Sequence, residues 1–155
     1  MRRMVACTVA IAQLAIMPVR QAIATPSIDE LHVVDHLVFS APLQSFRRDR
    51  ARAKRRYPWL AATTDGCSAP LIGSTGASFN FRLACERHDF AYANYPLLMR
   101  RGHDVEWNAV LRAKVDDQFQ RDLQASCVHR QRSYRLRCDA WVIVFFHAVR
   151  IAAGP

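Results

Sequence analysis

The stretch that decides the fold of this chain is Cys85–Asn94, with the sequence CERHDFAYAN. Read as an α-helix, it brings a thiol, an imidazole, a carboxylate and a phenol to one face, at positions i, i+3, i+4 and i+7: Cys85, His88, Asp89 and Tyr92. Polar groups on a packed helix face need partners, because burial without a hydrogen bond costs free energy. The pattern fits an assembled site, and it also fits a core histidine beside a solvated aspartate.

A second group of polar residues precedes this helix in the segment Thr64–Cys67, TDGC. It adds a second carboxylate, Asp65, and a disulfide from its cysteine to the helix would hold Asp65 next to Asp89. Glycine and proline residues make the following stretch, up to residue 78, a predicted loop. Hard cations prefer carboxylate and carbonyl oxygens from flexible loops, so Asp65, the carbonyl of Gly66 and Asp89 form a candidate Ca²⁺ site.

The first 24 residues have the pattern of a secretory signal peptide. Arg2 and Arg3 precede an apolar run from Val5 to Met17, which is too short to span a bilayer, and small residues follow up to Ala24. We therefore expect a secreted protein from which residues 1–24 are removed. An uncleaved N-terminal anchor is the alternative interpretation.

The cysteine count predicts disulfides in an oxidising compartment. Four of the five cysteines lie beyond the leader, and an even number in a small exported protein indicates two disulfides with three possible pairings. We favour Cys67–Cys85 and Cys127–Cys138, because each closes a short loop between neighbouring helical stretches. A zinc site that uses Cys85 and His88 is a weaker alternative, since the chain has no Cys-x-x-Cys pair.

The segment before residue 57 is helical in pattern and strongly basic, in a chain whose formal net charge is +9. We expect helices over residues 28–39 and from Leu43 to about Arg56, the second with seven Lys or Arg and no apolar face after Phe46. Its charge fits a solvated face, attraction to an anionic lipid surface at about 1 kcal/mol per cation, or processing at Lys54–Arg56. Nucleic-acid binding is not expected, because no aromatic residues interleave with the charges.

The remaining elements are also predicted to be helices, which gives an all-α fold. The site helix is expected over residues 79–94, ended by Pro96. A long helix should follow from an Asp104 cap to about residue 127, with a buried stripe four residues apart: Leu111, Val115, Phe119 and Leu123. A polar loop over residues 128–137 and an apolar helix from Asp139, too short to span a membrane, complete the chain.

Two carboxylates on the long helix are candidate partners for His88. Asp116 and Asp122 both lie at the edge of the buried stripe, and a carboxylate there needs a partner. Antiparallel packing on the site helix would bring either of them to the histidine, and salt bridges to neighbouring arginines are the alternative. The pattern alone does not distinguish the two aspartates.

Three stretches together resemble the secreted phospholipase A2 enzymes of the prokaryotic and fungal type. They are TDxC at residues 64–67, CxRHDFxYxN at residues 85–94, and KVDxxFxxDLxxxC at residues 114–127, followed by a tryptophan-containing terminal helix. The resemblance covers residues 59–151. It implies a small disulfide-stapled domain whose site lies between two long antiparallel helices. The resulting organisation is a leader at 1–24, a basic helical segment at 25–56 and a catalytic domain at 57–155.

The resemblance also implies residue roles. It selects Asp116 over Asp122 as the partner that orients His88, the general base, and it assigns Ca²⁺ to Asp65, the Gly66 carbonyl and Asp89. A base without a neighbouring serine or cysteine nucleophile indicates activation of water. The implied reaction is hydrolysis of the sn-2 ester of a glycerophospholipid at a membrane surface.

Two further classes of function compete with the enzyme. The first is a catalytically silent cationic protein that binds a membrane or a receptor on the same fold, and the second is a purely structural, disulfide-stapled helical domain. The joint presence of Asp65, His88, Asp89 and Asp116 favours the enzyme. Tyr92 is expected only to pack against and support the site. We expect a monomer.

Overall fold

The computed structural model describes residues 28–67 and 73–152, and these residues form a helical domain. The five α-helices are α1 (Ile28–Asp35), α2 (Phe46–Arg56), α3 (Arg82–Arg100), α4 (Ala109–Val128) and α5 (Arg132–Ala152). A π-helical turn at His36–Ser40 and a 3₁₀ turn at Leu43–Ser45 connect α1 to α2. The only extended pairing in the described residues is an isolated bridge between Thr75 and Asn80, so the predicted all-α fold is confirmed. The predicted leader and residues 68–72 of the predicted calcium loop lie outside the described residues.

The centre of the fold is the packing of α3 on α4. Cys85, near the start of α3, shares an apolar cluster with Phe119 and Leu123 from the second half of α4. Tyr95, in the second half of α3, shares another cluster with Val115 from the first half of α4. The two helices are therefore antiparallel, as predicted, and the apolar face of α4 is the predicted stripe.

Two disulfides attach other segments to this pair of helices. Cys67 is bonded to Cys85, which fastens the segment before the loop to the first turn of α3. Cys127 is bonded to Cys138, which joins the end of α4 to the second turn of α5. These are the two pairings that the short loops favoured.

The basic helix α2 packs on α3 through Phe46, and its later residues are exposed or half-buried, as expected of a solvated segment. Phe46 is completely buried, and its ring meets the ring of Phe90 edge-on at 5.7 Å between centroids. Arg47 binds both carboxylate oxygens of Glu86 on α3, and Arg50 lies 3.8 Å from the same group. Because Glu86 is buried, it needs cationic partners, and α2 provides them.

The end of α3 and the starts of α4 and α5 differ from the predicted helix boundaries. Helix α3 continues past Pro96 to Arg100, because burial of Tyr95 and Leu98 outweighs the cost of a proline in a helix. Gly102 follows its end, and the φ of 85° at this residue allows its N–H and that of the next residue to bond the carbonyls of Met99 and Leu98.

The starts of the last two helices also moved. Helix α4 begins after Asn108, not Asp104, because the Asn108 side chain accepts hydrogen bonds from the N–H groups of Val110 and Leu111. Helix α5 begins at Arg132, seven residues before the predicted Asp139. Arginine and leucine are good helix formers, and no glycine or proline interrupts residues 132–138.

None of the helices in the described part of the chain has the length and hydrophobicity that a membrane crossing requires.

Candidate active site

The predicted contact between His88 and Asp116 is present in the structure. His88 projects from α3 and Asp116 from α4, and Nε2 of the imidazole lies 2.8 Å from Oδ1 of the carboxylate. The side chain of His88 is 10% exposed, whereas that of Asp116 is 2% exposed. A carboxylate at this nitrogen fixes Nε2 as the protonated one, so the lone pair of the ring is on Nδ1.

Tyr92 makes a closer contribution than predicted. Its hydroxyl donates a hydrogen bond to the same Oδ1 of Asp116, at 2.8 Å, and its ring packs on His88 at 4.4 Å between centroids. Burial, and after it the hydrogen bond to Asp116, raises the pKa of Tyr92 well above its usual range, so the phenol remains a donor. Phe119 lies 4.7 Å from the imidazole, measured between ring centroids. The histidine ring is thus held between two aromatic rings.

Asp122, the other candidate, has a different partner. Its Oδ2 lies 3.3 Å from Nε of Arg87, and both side chains are almost completely buried. The two atoms are close but not aligned for a hydrogen bond. The Arg87 guanidinium instead donates to the carbonyl of Val38, at 3.2 Å, and Gln118 donates to Oδ1 of Asp122, at 3.0 Å. Asp122 therefore joins α4 to α3 at the residue that precedes the histidine.

The carboxylate of Asp89 faces the segment that contains Asp65. Oδ2 of Asp89 accepts hydrogen bonds from the hydroxyl of Thr64 and from the N–H of Gly66, the latter at 3.0 Å. Gly66 has a φ of 64°, a left-handed conformation that glycine adopts without strain. Burial raises the pKa of Asp89 and the negative charge of Asp65 adds to this, while the two hydrogen bonds oppose it.

An open cleft of about 530 Å³ lies against these carboxylates. Its described lining is shared between the segment before the loop and the outer face of α3: Thr63, Thr64, Asp65, Asp89, Tyr92 and Ala93. His88 is not part of this lining, but its ring packs on Tyr92, which is. Tyr92 therefore lines the same cleft as Asp65 and Asp89 and also contacts the ring of His88.

These residues fit a hard cation better than a transition metal. Within residues 28–67 and 73–152, no three His, Cys, Asp or Glu side chains converge as a metal-binding cluster. Burial raises the pKa of Asp89 and the negative charge of Asp65 adds to it, and a divalent cation would stabilise both carboxylates in their charged form. Two carboxylates and a backbone carbonyl are suitable donors for Ca²⁺, which takes six to eight oxygen ligands and can draw the others from water or substrate.

A residue that the sequence did not indicate also reaches the site. Arg150, near the end of α5, lies with Nε 3.7 Å from Oδ2 of Asp116, and it hydrogen-bonds the neighbouring Asp117. The first oxygen of Asp116 thus faces His88 and Tyr92, and the second faces a cation. No spacing rule could have found Arg150, because the pairing depends on how α5 packs against α4.

Comparison with known proteins agrees with this arrangement. The family model described as prokaryotic phospholipase A2 matches residues 34–153. A protein of Beauveria bassiana (strain ARSEF 2860) named "Secretory phospholipase A2" is 32% identical over 124 residues, which cover 79% of this chain and 58% of the relative. A protein of Arthroderma benhamiae (strain ATCC MYA-4681 / CBS 112371) with the same name is 34% identical over 95 residues, 61% of this chain and 57% of the relative.

The extent of these matches defines what they show. The chain spans a little over half the length of both relatives, so their whole-protein properties do not pass directly to it. The family match, by contrast, extends over most of the chain and includes the whole of α2 to α5 and the last two residues of α1. The chain belongs to the prokaryotic phospholipase A2 family.

Proposed function

We propose that this chain is a secreted, calcium-dependent phospholipase A2 that hydrolyses the sn-2 ester of glycerophospholipids. The observation that carries the proposal is the 2.8 Å contact between His88 and Asp116, beside a cleft lined by Asp65 and Asp89. Family membership and the names of both fungal relatives support the same activity.

The chemistry of the proposal centres on Nδ1 of His88. With Nε2–H donated to Asp116, Nδ1 accepts a proton from water as the water oxygen attacks the ester carbonyl carbon. The bond from that carbon to the glycerol oxygen then breaks, and the imidazolium returns the proton to the departing oxygen. The products are a free fatty acid and a lysophospholipid. Asp116 stabilises the imidazolium while it exists and, together with Tyr92, fixes the orientation of the ring.

The proposed calcium ligands are Asp65, the carbonyl of Gly66 and Asp89. A bound Ca²⁺ supplies positive charge that polarises the ester carbonyl and attracts the phosphate of the lipid. The protein keeps Asp89 in place through Thr64 and the Gly66 N–H, both of which bond its Oδ2. The disulfide from Cys67 to Cys85 fixes the distance between the ligand segment and α3.

Secretion, the domain boundaries and the monomeric state are also proposals. The leader pattern of residues 1–24 and the word "Secretory" in the names of the relatives support export. Processing at Lys54–Arg56 stays a prediction, as does the boundary at residue 57. The described residues before it contribute Val34, Val38 and Phe46 to the core, which favours their retention in the active protein.

The proposal is tested by measuring fatty-acid release from phospholipid vesicles, with calcium titrated against a chelator. We expect calcium-dependent release of the sn-2 acid, and we expect His88→Ala to abolish it while calcium binding is retained. His129→Ala, which changes an exposed histidine away from the site, is the matched control. Intact vesicle binding with no release in saturating calcium would support the catalytically silent binding protein instead.

The calcium site is tested separately by titration calorimetry without lipid. Asp65→Asn and Asp89→Asn should each weaken calcium binding at least tenfold, because each removes a charged ligand. Asp104→Asn changes an exposed aspartate outside the site and should leave it unchanged. Equal calcium affinity in Asp89→Asn and wild type would remove Asp89 from the metal site.

A further inference from the structure

The outward face of α5 has an apolar stripe that no other described residue covers. Its large aliphatic side chains are 80%, 58%, 46% and 81% exposed, in chain order: Leu136, Ile143, Val144 and Ile151. At 100° per residue these four positions fall within about 100° of arc, which also contains the exposed Ser133, Ala140 and His147. The buried residues Cys138, Val142 and Phe145 occupy the opposite side of the helix.

The start of α5 carries a cluster of cations for which the described residues provide no anionic partner. Arg132, Arg135 and Arg137 are exposed, and in the described part of the chain none of them forms an ion pair or a hydrogen bond through its side chain. One acid, the exposed Asp139, follows on the same helix. We call these three residues the arginine cluster.

The basic helix α2 is less available for such a role. Arg47 and Arg50 are paired with Glu86, and the ammonium of Lys54 donates to the carbonyls of Pro58 and Leu60. Arg48 and Arg52 lie beside Asp49. Two acids therefore face four of the seven cations of α2, whereas the described residues place no acid against the arginine cluster.

We propose that the outward face of α5 docks on an anionic lipid surface, with the apolar stripe inserted among the acyl chains and the arginine cluster on the lipid headgroups. An amphipathic helix binds an interface through exactly this combination of apolar area and cationic charge. A second copy of the chain fits less well, because four side chains of one helix are a small area beside the roughly 800 Å² per partner of a stable interface, and because both copies would be strongly basic.

The stripe also ends beside the site. Ile151 follows Arg150, the residue whose guanidinium lies 3.7 Å from Asp116. The stripe therefore ends one residue from a side chain that contacts Asp116, whereas the described lining of the cleft comes from α3 and the segment before the loop. The inference rests on the proposed function in this respect, because the lipid surface is where the substrate would be found.

The test uses vesicles of ether-linked phospholipids, which have no ester to hydrolyse, so binding is measured without turnover. Sedimentation of the full chain with ether-linked phosphatidylglycerol–phosphatidylcholine vesicles gives the affinity. The doubly substituted Leu136→Gln/Ile143→Gln should bind at least tenfold more weakly, because both side chains lose their burial in lipid. Met99→Gln/Val110→Gln, two exposed apolar positions outside α5, is the matched control and should stay within twofold of wild type.

A second set of variants tests the charge. Arg132→Gln/Arg135→Gln/Arg137→Gln should lose about a hundredfold in affinity for the anionic vesicles, since each cation near such a surface strengthens binding by about fivefold. Its affinity for pure ether-linked phosphatidylcholine should not change. Arg48→Gln/Arg52→Gln/Arg55→Gln removes three charges from α2 and should have a much smaller effect.

Several outcomes would overturn the inference. These are absence of wild-type binding to the anionic vesicles, equal losses in the α5 variants and their controls, or a concentration-dependent dimer that only the Leu136→Gln/Ile143→Gln variant abolishes. The proposed function is tested separately, by comparing fatty-acid release by wild type and His88→Ala from vesicles of ester-linked phospholipids. Vesicle binding that depends on α5, without any hydrolysis, would refute the enzyme activity and support the docking face. Hydrolysis by the wild type, with vesicle binding that the α5 substitutions do not weaken, would support the enzyme activity and refute the docking face.

Discussion

The buried ion pair between Arg87 and Asp122 gives the most direct test of how the site is held together. Arg87 precedes the proposed base in the chain, and Asp122 lies on α4 beyond Asp116, so the pair fixes one helix against the other. The change to make is Asp122→Asn, which keeps the size of the side chain and removes its charge. Arg87 would then remain as a buried guanidinium whose exposed fraction is 3%.

The expected cost follows from the surroundings of the two groups. Burial lowers the pKa of Arg87 and raises the pKa of Asp122, and in each case the opposite charge works against this effect. Burial thus disfavours the charged form of each group, and the opposite charge of the partner offsets this cost. Removing one member of a buried pair costs about 3–5 kcal/mol, because the other is left uncompensated. Proteins are stable by only about 5–15 kcal/mol, so this is a large fraction of the total.

The assay is urea unfolding followed by tryptophan fluorescence, with the disulfides intact. Asp122→Asn should lower the free energy of unfolding by about 3–5 kcal/mol. The double variant Arg87→Met/Asp122→Leu removes both charges and should lie within about 1–2 kcal/mol of wild type, or exceed it, because an apolar pair of similar volume avoids the desolvation cost. Gln118→Ala, which loses only the hydrogen bond to Asp122, should cost about 1 kcal/mol.

A loss below about 1 kcal/mol in Asp122→Asn would refute this reasoning, since it would place the pair in the range of solvated surface bridges. The reasoning would also be refuted if Arg87→Met/Asp122→Leu lost as much free energy of unfolding as Arg87→Met and Asp122→Leu lose together when each is measured alone. In that case the two charges would not interact, and the 3.3 Å separation would have no energetic meaning.

Three further predictions concern the neighbouring groups. Asp116→Asn should reduce hydrolysis by about 10²–10⁴ with unchanged calcium half-saturation, because the amide can donate to Nε2 and leave the wrong tautomer of His88; undiminished turnover in a steady-state assay would exclude the orienting role. Arg150→Gln should lower kcat up to about fivefold at constant KM, because a partly exposed ion pair contributes at most about 1 kcal/mol. Arg150→Lys should restore most of the lost kcat. A change in KM alone would contradict this prediction. Hydrogen bonds from Arg47 lower the pKa of Glu86 in the folded protein, although burial opposes them. Glu86 therefore stabilises the fold at pH values above its unfolded-state pKa. This stabilisation is lost as the pH falls through the lowered pKa of the folded state. Glu86→Gln should therefore be less stable than wild type by about 1–2 kcal/mol at neutral pH and no longer different in acid, as measured by urea unfolding at both pH values.

The sequence was sufficient for the fold class and for the pairing of the site helices. Positions three and four residues apart decide which side chains share a helix face, and that rule placed His88 and Asp89 correctly. It could not separate Asp116 from Asp122, because both lie on the edge of the α4 stripe. The structure separates them through Arg87, which occupies the space opposite Asp122 and leaves Asp116 to the histidine.

The errors in the helix boundaries have one physical source. Local preferences ended α3 at Pro96, yet Tyr95 and Leu98 are completely buried on either side of that residue, and tertiary packing keeps the helix intact. Likewise, Asp104 has the composition of a cap, but Asn108 is the residue that reaches the N–H groups of α4. Local composition identifies residues that could begin or end a helix, and tertiary packing determines which of them does so.

The role of α2 shows a similar limit. Seven cations in eleven residues suggested a solvated helix, and a sequence does not show that a distant acid is buried beneath it. Glu86 is that acid, and it lies next to Arg87 in the most informative stretch of the chain. Its pairing with Arg47 and Arg50 makes α2 a part of the fold rather than a free cationic arm.

Asp116 is the point at which these separate contacts converge. It belongs to α4, accepts hydrogen bonds from His88 and Tyr92 of α3, and faces Arg150 of α5. A buried carboxylate needs hydrogen-bond donors or cations around it, so the orientation of the proposed base depends on three helices at once. The Cys127–Cys138 disulfide joins two of them at one end and Arg150 joins them at the other. Any movement of α5 relative to α4 would therefore change the contact between Arg150 and Asp116.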